Sequence, residues 1–286
     1  MRAALVAAHP ELAAAGMLEV VVIRTTGDRV VDRPLAEIGG KGLFTKEIDE
    51  ALLDRRIDLA VHSLKDVPTL LPEGIVIAAT PERADPRDVL LASGATSLAG
   101  LPKGCLVGTA SLRRAAQLLA ARPDATVVPL RGNVQTRLAK LERGEVGATL
   151  LAAAGLARLG LGTAGGTPLS PGEMLPAVAQ GAIGIACRAE DEELRATLAP
   201  LAHAPTLRCV AAERALLAEL DGNCRTPIAA LAVEGPEGLV LEGLLASPDG
   251  RRVARTSRRG PPEEAERLGR EAGRELLRVG QGWATG

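Results

Sequence analysis

Between Leu106 and Leu151 three short apolar runs are separated by two helical stretches: Leu106-Val107-Gly108, Thr126-Val127-Val128-Pro129-Leu130 and Ala148-Thr149-Leu150-Leu151 flank Leu112–Ala121 and Asn133–Arg143. Such alternation leaves a chain few choices, because each connecting helix must cover the strands it joins, which implies βαβ units and a mostly parallel sheet. The pattern begins earlier. Residues 2 to 15 read as a helix, and the β-branched run Leu18-Glu19-Val20-Val21-Val22-Ile23 as a buried strand closed by the turn Thr26-Gly27-Asp28. A glycine-rich loop, Gly39-Gly40-Lys41-Gly42, then precedes a helix over Lys46–Asp54 and a strand over Ile57–His62. The charged, proline-broken stretch Glu82–Asp88 is the expected hinge between two α/β lobes.

From residue 204 the pattern changes. A helix over Thr206–Leu220 leads through a Gly/Asn turn into Ile228–Val233, Leu239–Ala246 and Arg252–Ser257, with Ser247-Pro248-Asp249-Gly250 as a hairpin turn and a last helix over Pro262–Val279. That describes a small α+β domain with an antiparallel sheet.

Charge and composition exclude several function classes. Lys and Arg number 34 against 35 Asp and Glu, so any anion site is local and not a general basic surface. Phe44 and Trp283 are the only aromatic residues, which removes the stacking platforms of single-stranded nucleic-acid binders. The cysteines Cys105, Cys187, Cys209 and Cys224 form no C-x-x-C pair and only three histidines accompany them, so neither a metal site nor a disulfide framework is expected. His9-Pro10-Glu11 cuts short the apolar N-terminal run, and no run approaches the roughly 18 apolar residues of a membrane span. The expectation is a cytoplasmic protein without nucleic-acid or membrane partners.

Two familiar patterns fail on context. Gly160-Leu161-Gly162-Thr163-Ala164-Gly165 fits G-x-G-x-x-G but runs into Thr167-Pro168 instead of opening a helix, and Lys41 is followed by Gly42, not by the Ser or Thr of a phosphate loop.

Others survive. Val61-His62-Ser63-Leu64-Lys65-Asp66-Val67-Pro68 sets a lysine and an aspartate at the carboxyl end of a strand, where open α/β sheets bind ligands. Gly108-Thr109-Ala110-Ser111-Leu112-Arg113-Arg114 follows a strand and opens a helix, bringing hydroxyls, backbone N–H groups and two guanidinium groups to a helix N-terminus. Leu130-Arg131-Gly132-Asn133-Val134-Gln135-Thr136-Arg137 repeats the arrangement at the next junction. Arginines in a first helical turn oppose the helix dipole, so ligand carboxylates or phosphates explain them better than helix stability does. A polyanionic ligand in a cleft between lobes follows, with Asp66 the lone acid among bases. Cys224 sits in a tight Gly/Asn turn beside Arg225 and just ahead of Pro227.

Taken in order, Gly39–Phe44, His62–Pro68, Gly108–Arg114, Leu130–Asn133 and Asp221–Cys224 resemble the hydroxymethylbilane synthase (porphobilinogen deaminase) family, from the region of His9 to the C-terminus. The resemblance implies stepwise condensation of four porphobilinogen molecules into linear hydroxymethylbilane, with release of ammonia, in tetrapyrrole (porphyrin, haem) biosynthesis. It implies a dipyrromethane cofactor held by a thioether to Cys224, and Asp66 as the catalytic aspartate that stabilises the azafulvene-type cation left when ammonia departs. Arg113, Arg114, Arg131 and Arg137, with Lys65, Thr109, Ser111 and Gly132, would hold the cofactor's and substrate's acids. Arg158 and Gln180 match further family positions, and Lys41 and Phe44 lie on a loop expected to cover the cleft. The implied fold is two lobes like those of type II periplasmic binding proteins plus the small third domain: residues 1–82 and 181–200, residues 86–177, and residues 204–286. A monomer is expected.

The sequence departs from the family twice. Ala179 stands where the family usually has glycine. The family opens with a strand and an Arg-x-Ser-Pro-Leu-Ala segment that this sequence does not contain, so domain 1 is expected to be N-terminally incomplete. The alternatives are a non-catalytic two-lobed solute-binding protein, which needs the arginines but neither Asp66 nor Cys224, and an inactive truncated paralogue.

Overall fold

The computed structural model describes residues 1–29, 42–220, 227–281 and 283. Eleven strands lie among them: β1 (Leu59–Ser63), β2 (Ile75–Ala79), β3 (Asp88–Ala92), β4 (Leu106–Gly108), β5 (Thr126–Val128), β6 (Ala148–Ala152), β7 (Thr167–Pro168), β8 (Ile183–Arg188), β9 (Ile228–Gly235), β10 (Gly238–Ala246) and β11 (Val253–Gly260). They form three sheets, ordered β1-β8-β2, β5-β4-β6-β3-β7 and β11-β10-β9.

The first sheet is not parallel. β8, which comes back from far along the chain, lies between β1 and β2 and runs antiparallel to both. The second is mixed: β4 pairs parallel with β5 and β6, as the βαβ alternation requires, but β3 pairs antiparallel with β6 and β7. A mostly parallel sheet is therefore correct only for the βαβ segment, since β3 enters from the interlobe crossing rather than from a crossover helix. The third sheet is antiparallel throughout, with β10 and β11 joined at the expected Ser247–Gly250 turn.

Two expectations near the N-terminus are corrected. Residues 2 to 15 are not one helix: an α-helix covers Arg2–Ala8, and a 3₁₀ turn covers Pro10–Ala13. Pro10 has no N–H to continue the first helix and disfavours helical backbone at His9, which takes φ −137°. Leu18–Ile23 joins no ladder, and Val20, Val21 and Val22 are 71%, 53% and 83% exposed. β-Branched residues favour a strand only where a neighbour supplies hydrogen bonds and a covering layer, and no described segment does so here. Thr26–Arg29 forms a short helical turn.

The cores explain how the parts are fastened. In the first lobe Leu5, Ile185 and Leu198 cluster on one side of the sheet, while Leu52 of helix Lys46–Leu53 packs with Ala60, Ile75 and Ala186. In the second, Leu90, Val107, Leu118, Leu150 and Met174 fill the space between sheet and helices. The largest cluster crosses a boundary. Leu216, Leu241, Leu268 and Leu276 of the C-terminal α+β unit pack together with Leu64 and Val67 of the first lobe and with Val178 of the returning crossing. The opposite face of β9 and β10 packs Ala229, Leu231 and Leu244 on Ala116 of helix Leu112–Ala121 and on Leu175. The third sheet thus grips both lobes.

Candidate active site

The chain crosses between the lobes twice, and the crossings touch. Ala84 donates its N–H to Gly181 at 3.3 Å, and Gly181, at φ 90°, sits so close that a Cβ there would lie 2.5 Å from the Ala84 carbonyl oxygen. Asp88 follows the first crossing, Gln180 precedes Gly181 in the second, and their side chains meet: Gln180 Nε2 donates to Asp88 Oδ1 at 3.0 Å and to the Pro86 carbonyl at 2.7 Å.

Asp88 is the hub. Its side chain is fully buried, and Arg113 donates to Oδ2 at 2.7 Å while Arg114 donates to Oδ1 through Nη2 at 2.7 Å and Nε at 3.1 Å. Burial alone pushes a carboxyl up, but the two guanidinium charges and their hydrogen bonds outweigh it and hold Asp88 well below the usual carboxylate range. Arg113 Nη1 also donates to the Leu175 carbonyl at 2.7 Å and Arg114 Nη1 to the Leu150 carbonyl at 2.8 Å. Arg113 and Arg114 do stabilise the fold, contrary to the helix-dipole argument, because Asp88 supplies the counter-charge that the helix end does not. Within the charged hinge Asp88 does not stand out from its neighbours. Its signal was present: an acid opening the apolar run Val89-Leu90-Leu91-Ala92 starts a buried strand and needs a cationic partner.

The other anion-site residues surround this hub on the second lobe. Thr109 is buried and its Oγ1 accepts from Ser111 N at 3.1 Å, while Ser111 caps helix Leu112–Ala121 by accepting from Arg114 N. Asn133 caps helix Val134–Glu142, its Oδ1 accepting from Thr136 N at 2.8 Å. Only glycine suits position 132, where φ is 115° and a Cβ would lie 2.7 Å from the Thr136 side chain. The Gly132 carbonyl accepts from Arg137 Nε at 2.7 Å, and burial, followed by the charges of Arg114 and Arg131, lowers the Arg137 pKa.

On the first lobe, β1 ends in a 3₁₀ turn, Leu64–Asp66, pinned by Leu64 N donating to Ala182 O at 3.1 Å. Lys65 and Asp66 face outward from this turn, and Lys65 Nζ lies 3.5 Å from Gln180 Oε1. Lys65 is reached by water yet ringed by protein on several sides. That desolvation lowers its pKa first, Arg114 and Arg113 lower it further, and Asp66 and Asp88 oppose them. The turn, Gln180, Asp88 and the arginines therefore form one continuous polar chain from lobe to lobe. Arg158 joins it, donating to the Gly181 carbonyl at 2.7 Å.

The Phe44 ring lies over Gly27, where a Cβ would meet the ring atoms. Lys41 and Cys224 fall outside the described residues. Of the remaining thiols Cys187 and Cys209 are buried, and burial pushes Cys209 up to about 11, which suits core packing and not nucleophilic attack. No group of three His, Cys, Asp or Glu able to hold a metal occurs among the described residues, nor does any helix there have the length and apolarity to cross a membrane.

Residues 1–196 match the family model described as "Porphobilinogen deaminase, dipyromethane cofactor binding domain", and residues 207–278 match the model of the porphobilinogen deaminase C-terminal domain. The chain belongs to the porphobilinogen deaminase family. It is 56% identical to a chloroplastic porphobilinogen deaminase of Oryza sativa subsp. japonica over 94% of this chain and 76% of the rice protein. It is 51% identical to porphobilinogen deaminase of Syntrophobacter fumaroxidans over 92% of this chain and 85% of that one. Among solved structures, a periplasmic substrate-binding protein of an ABC transporter from Coxiella burnetii aligns with 74% of this chain and 92% of its own, at 19% identity and TM-score 0.41.

Proposed function

We infer that the protein is a hydroxymethylbilane synthase, a transferase that condenses four porphobilinogen molecules head to tail and releases ammonia at each step. The observation that carries this reading is the imbalance of charge in the cleft. The charges of Arg113 and Arg114 bear on Lys65 and those of Arg114 and Arg131 on Arg137, against two carboxylates: Asp88, already shared between Arg113 and Arg114, and Asp66 beside Lys65. A ligand bearing several carboxylates restores the balance, and forked guanidinium groups suit bidentate pairing with acetate and propionate side chains.

The donor set fits a dipyrromethane, which carries such acids. Arg131, Arg137, Thr109 and Ser111 would hold it, with Arg113 and Arg114 contributing charge from behind, and Cys224 would tether it by a thioether. When bound it would supply the nucleophilic pyrrole carbon to which the first unit is joined. Lys65, beside Asp66 and within reach of Gln180, orients the incoming carboxylates. Asp66, on the same turn, hydrogen bonds pyrrole N–H groups and stabilises positive charge as ammonia departs, which is electrostatic catalysis by a preorganised anion. Gln180 keeps Lys65 in register with the arginine hub.

We assign residues 1–82 and 181–200 to the lobe bearing Asp66, residues 86–177 to the arginine lobe and residues 204–286 to the unit bearing Cys224. We further assign the enzyme to the cytoplasm as a monomer. The test is the intact mass of the purified protein followed by peptide mapping, alongside ammonia release from porphobilinogen. A dipyrromethane adduct on Cys224 with ammonia release supports the reading. Tight porphobilinogen binding with neither adduct nor ammonia refutes it and favours a solute-binding protein.

A further inference from the structure

Arg214 has no part in the anion site. It lies on helix Ala204–Glu219 of the C-terminal unit, yet its guanidinium reaches the first lobe. Nη1 donates to the Val67 carbonyl at 3.1 Å, and Nη2 donates to Pro68 O at 2.6 Å and Thr69 O at 3.1 Å. Three consecutive carbonyls, starting at the residue after Asp66, are gathered by one side chain. Burial lowers the pKa of this arginine, as expected of a charge partly withdrawn from water, and no carboxylate pairs with it among the described residues. A desolvated guanidinium spent on backbone carbonyls is an unusual investment unless the backbone it holds must stay in place.

The carbonyls it holds need such a holder. Pro68 has no N–H, so the segment cannot tie itself down through a regular ladder. Among the described residues the backbone bonds of the turn are Leu64 N to Ala182 O at its start and Val67 N to Leu64 O within it, while beyond Asp66 the segment is held by Arg214 and by the Val67 and Leu71 side chains in the core. Arg214 also belongs to the helix that runs directly into the segment bearing Cys224, five residues before the helix ends at Glu219.

We propose that Arg214 is a positioning residue for the reaction: it fixes the Lys65–Asp66 turn against helix Ala204–Glu219, so that the Asp66 carboxylate keeps its place on the first lobe. The proposal rests on Asp66 being the catalytic carboxylate.

The test compares Arg214→Gln, Arg214→Lys, Asp66→Asn and Arg208→Gln in the full-length protein. Arg208 lies on the same helix but pairs outward with Glu234, so its variant controls for loss of a guanidinium. Intact mass reports cofactor loading, steady-state ammonia release gives kcat and KM, and hydrogen exchange reports peptides spanning residues 64–71. Arg214→Gln is expected to keep its adduct and a KM within about twofold of the parent, with kcat lowered about tenfold or more and faster exchange confined to residues 64–71. Arg214→Lys recovers part of both effects, since one ammonium reaches fewer of the carbonyls, and it serves as the readout should the Gln variant fail to fold. A loaded Arg214→Gln variant with kcat within twofold of the parent and unchanged exchange overturns the proposal. So does loss of activity that follows only loss of the adduct. An active Asp66→Asn variant defeats the assignment of Asp66 instead, while the exchange data still report whether Arg214 holds the turn.

Discussion

Replacing Asp88 tests the hub from which the arginine lobe is organised. Asn keeps the shape but removes the charge, leaving two guanidinium groups, each 6% exposed, without their shared counter-ion. Its remaining oxygen can keep the two bonds that Arg114 makes to Oδ1, but its NH₂ then meets the Arg113 donor that now points at Oδ2. Removing one partner of a buried ion pair costs about 3–5 kcal/mol, so Asp88→Asn belongs near the lower end and Asp88→Ala near the upper. The measurement is urea unfolding followed by far-UV circular dichroism, read as a midpoint shift at constant slope. Glu237→Gln is the control: its pair with Arg259 leaves both side chains mostly in water, at 78% and 63% exposure, and losing it costs less than about 1 kcal/mol. Acid gives a second reading. The folded pKa of Asp88 lies below its unfolded value, so this share of stability is present above about pH 4 and drains as pH falls toward the folded value. The gap between parent and Asp88→Asn should therefore narrow as acid is added below about pH 4. An Asp88→Asn midpoint shifted no further than that of Glu237→Gln would show that the arginines do not depend on this carboxylate, and the reasoning fails.

Three further outcomes are expected. Ala179 has φ 57°, in the left-handed region, so Ala179→Gly should relieve strain and raise stability by up to about 1 kcal/mol, seen as a higher urea midpoint. Glu213 is fully buried and accepts from both Arg83 and the backbone N–H groups of Ala179 and Ala232, so Glu213→Ala should cost about 3–5 kcal/mol and hasten proteolysis at the crossings. Cys209, with a pKa pushed up to about 11, should resist iodoacetamide at pH 8 in the native protein and react at once in urea, as alkylation mass spectrometry will show.

What the sequence made legible was local. The junctions at Ser111 and Asn133 announce themselves through a cap residue following a strand, and both cap as that chemistry requires. The Ser247–Gly250 hairpin is written in four adjacent residues. Pairings between distant segments were invisible, because nothing near Arg113 names Asp88 and nothing near Thr69 names Arg214. Leu18–Ile23 failed for a related reason: its composition states a preference for a strand, but whether a partner stands beside it is decided elsewhere in the chain. Sheet direction failed likewise, since the run Ile183-Gly184-Ile185-Ala186-Cys187 does not disclose that it will slide between β1 and β2.

That insertion sets a timetable for synthesis. Cys187 pairs with both Leu59 and Val76, so neither early strand has its neighbour until residues beyond 188 have left the ribosome, while every strand of the β5-β4-β6-β3-β7 sheet lies between Asp88 and Pro168. At translation rates of about 5–20 residues per second, β1 waits several seconds or longer, open-edged, as the middle of the chain becomes a finished body. The nascent chain matures from its middle outward, and its first lobe closes only on a template already made.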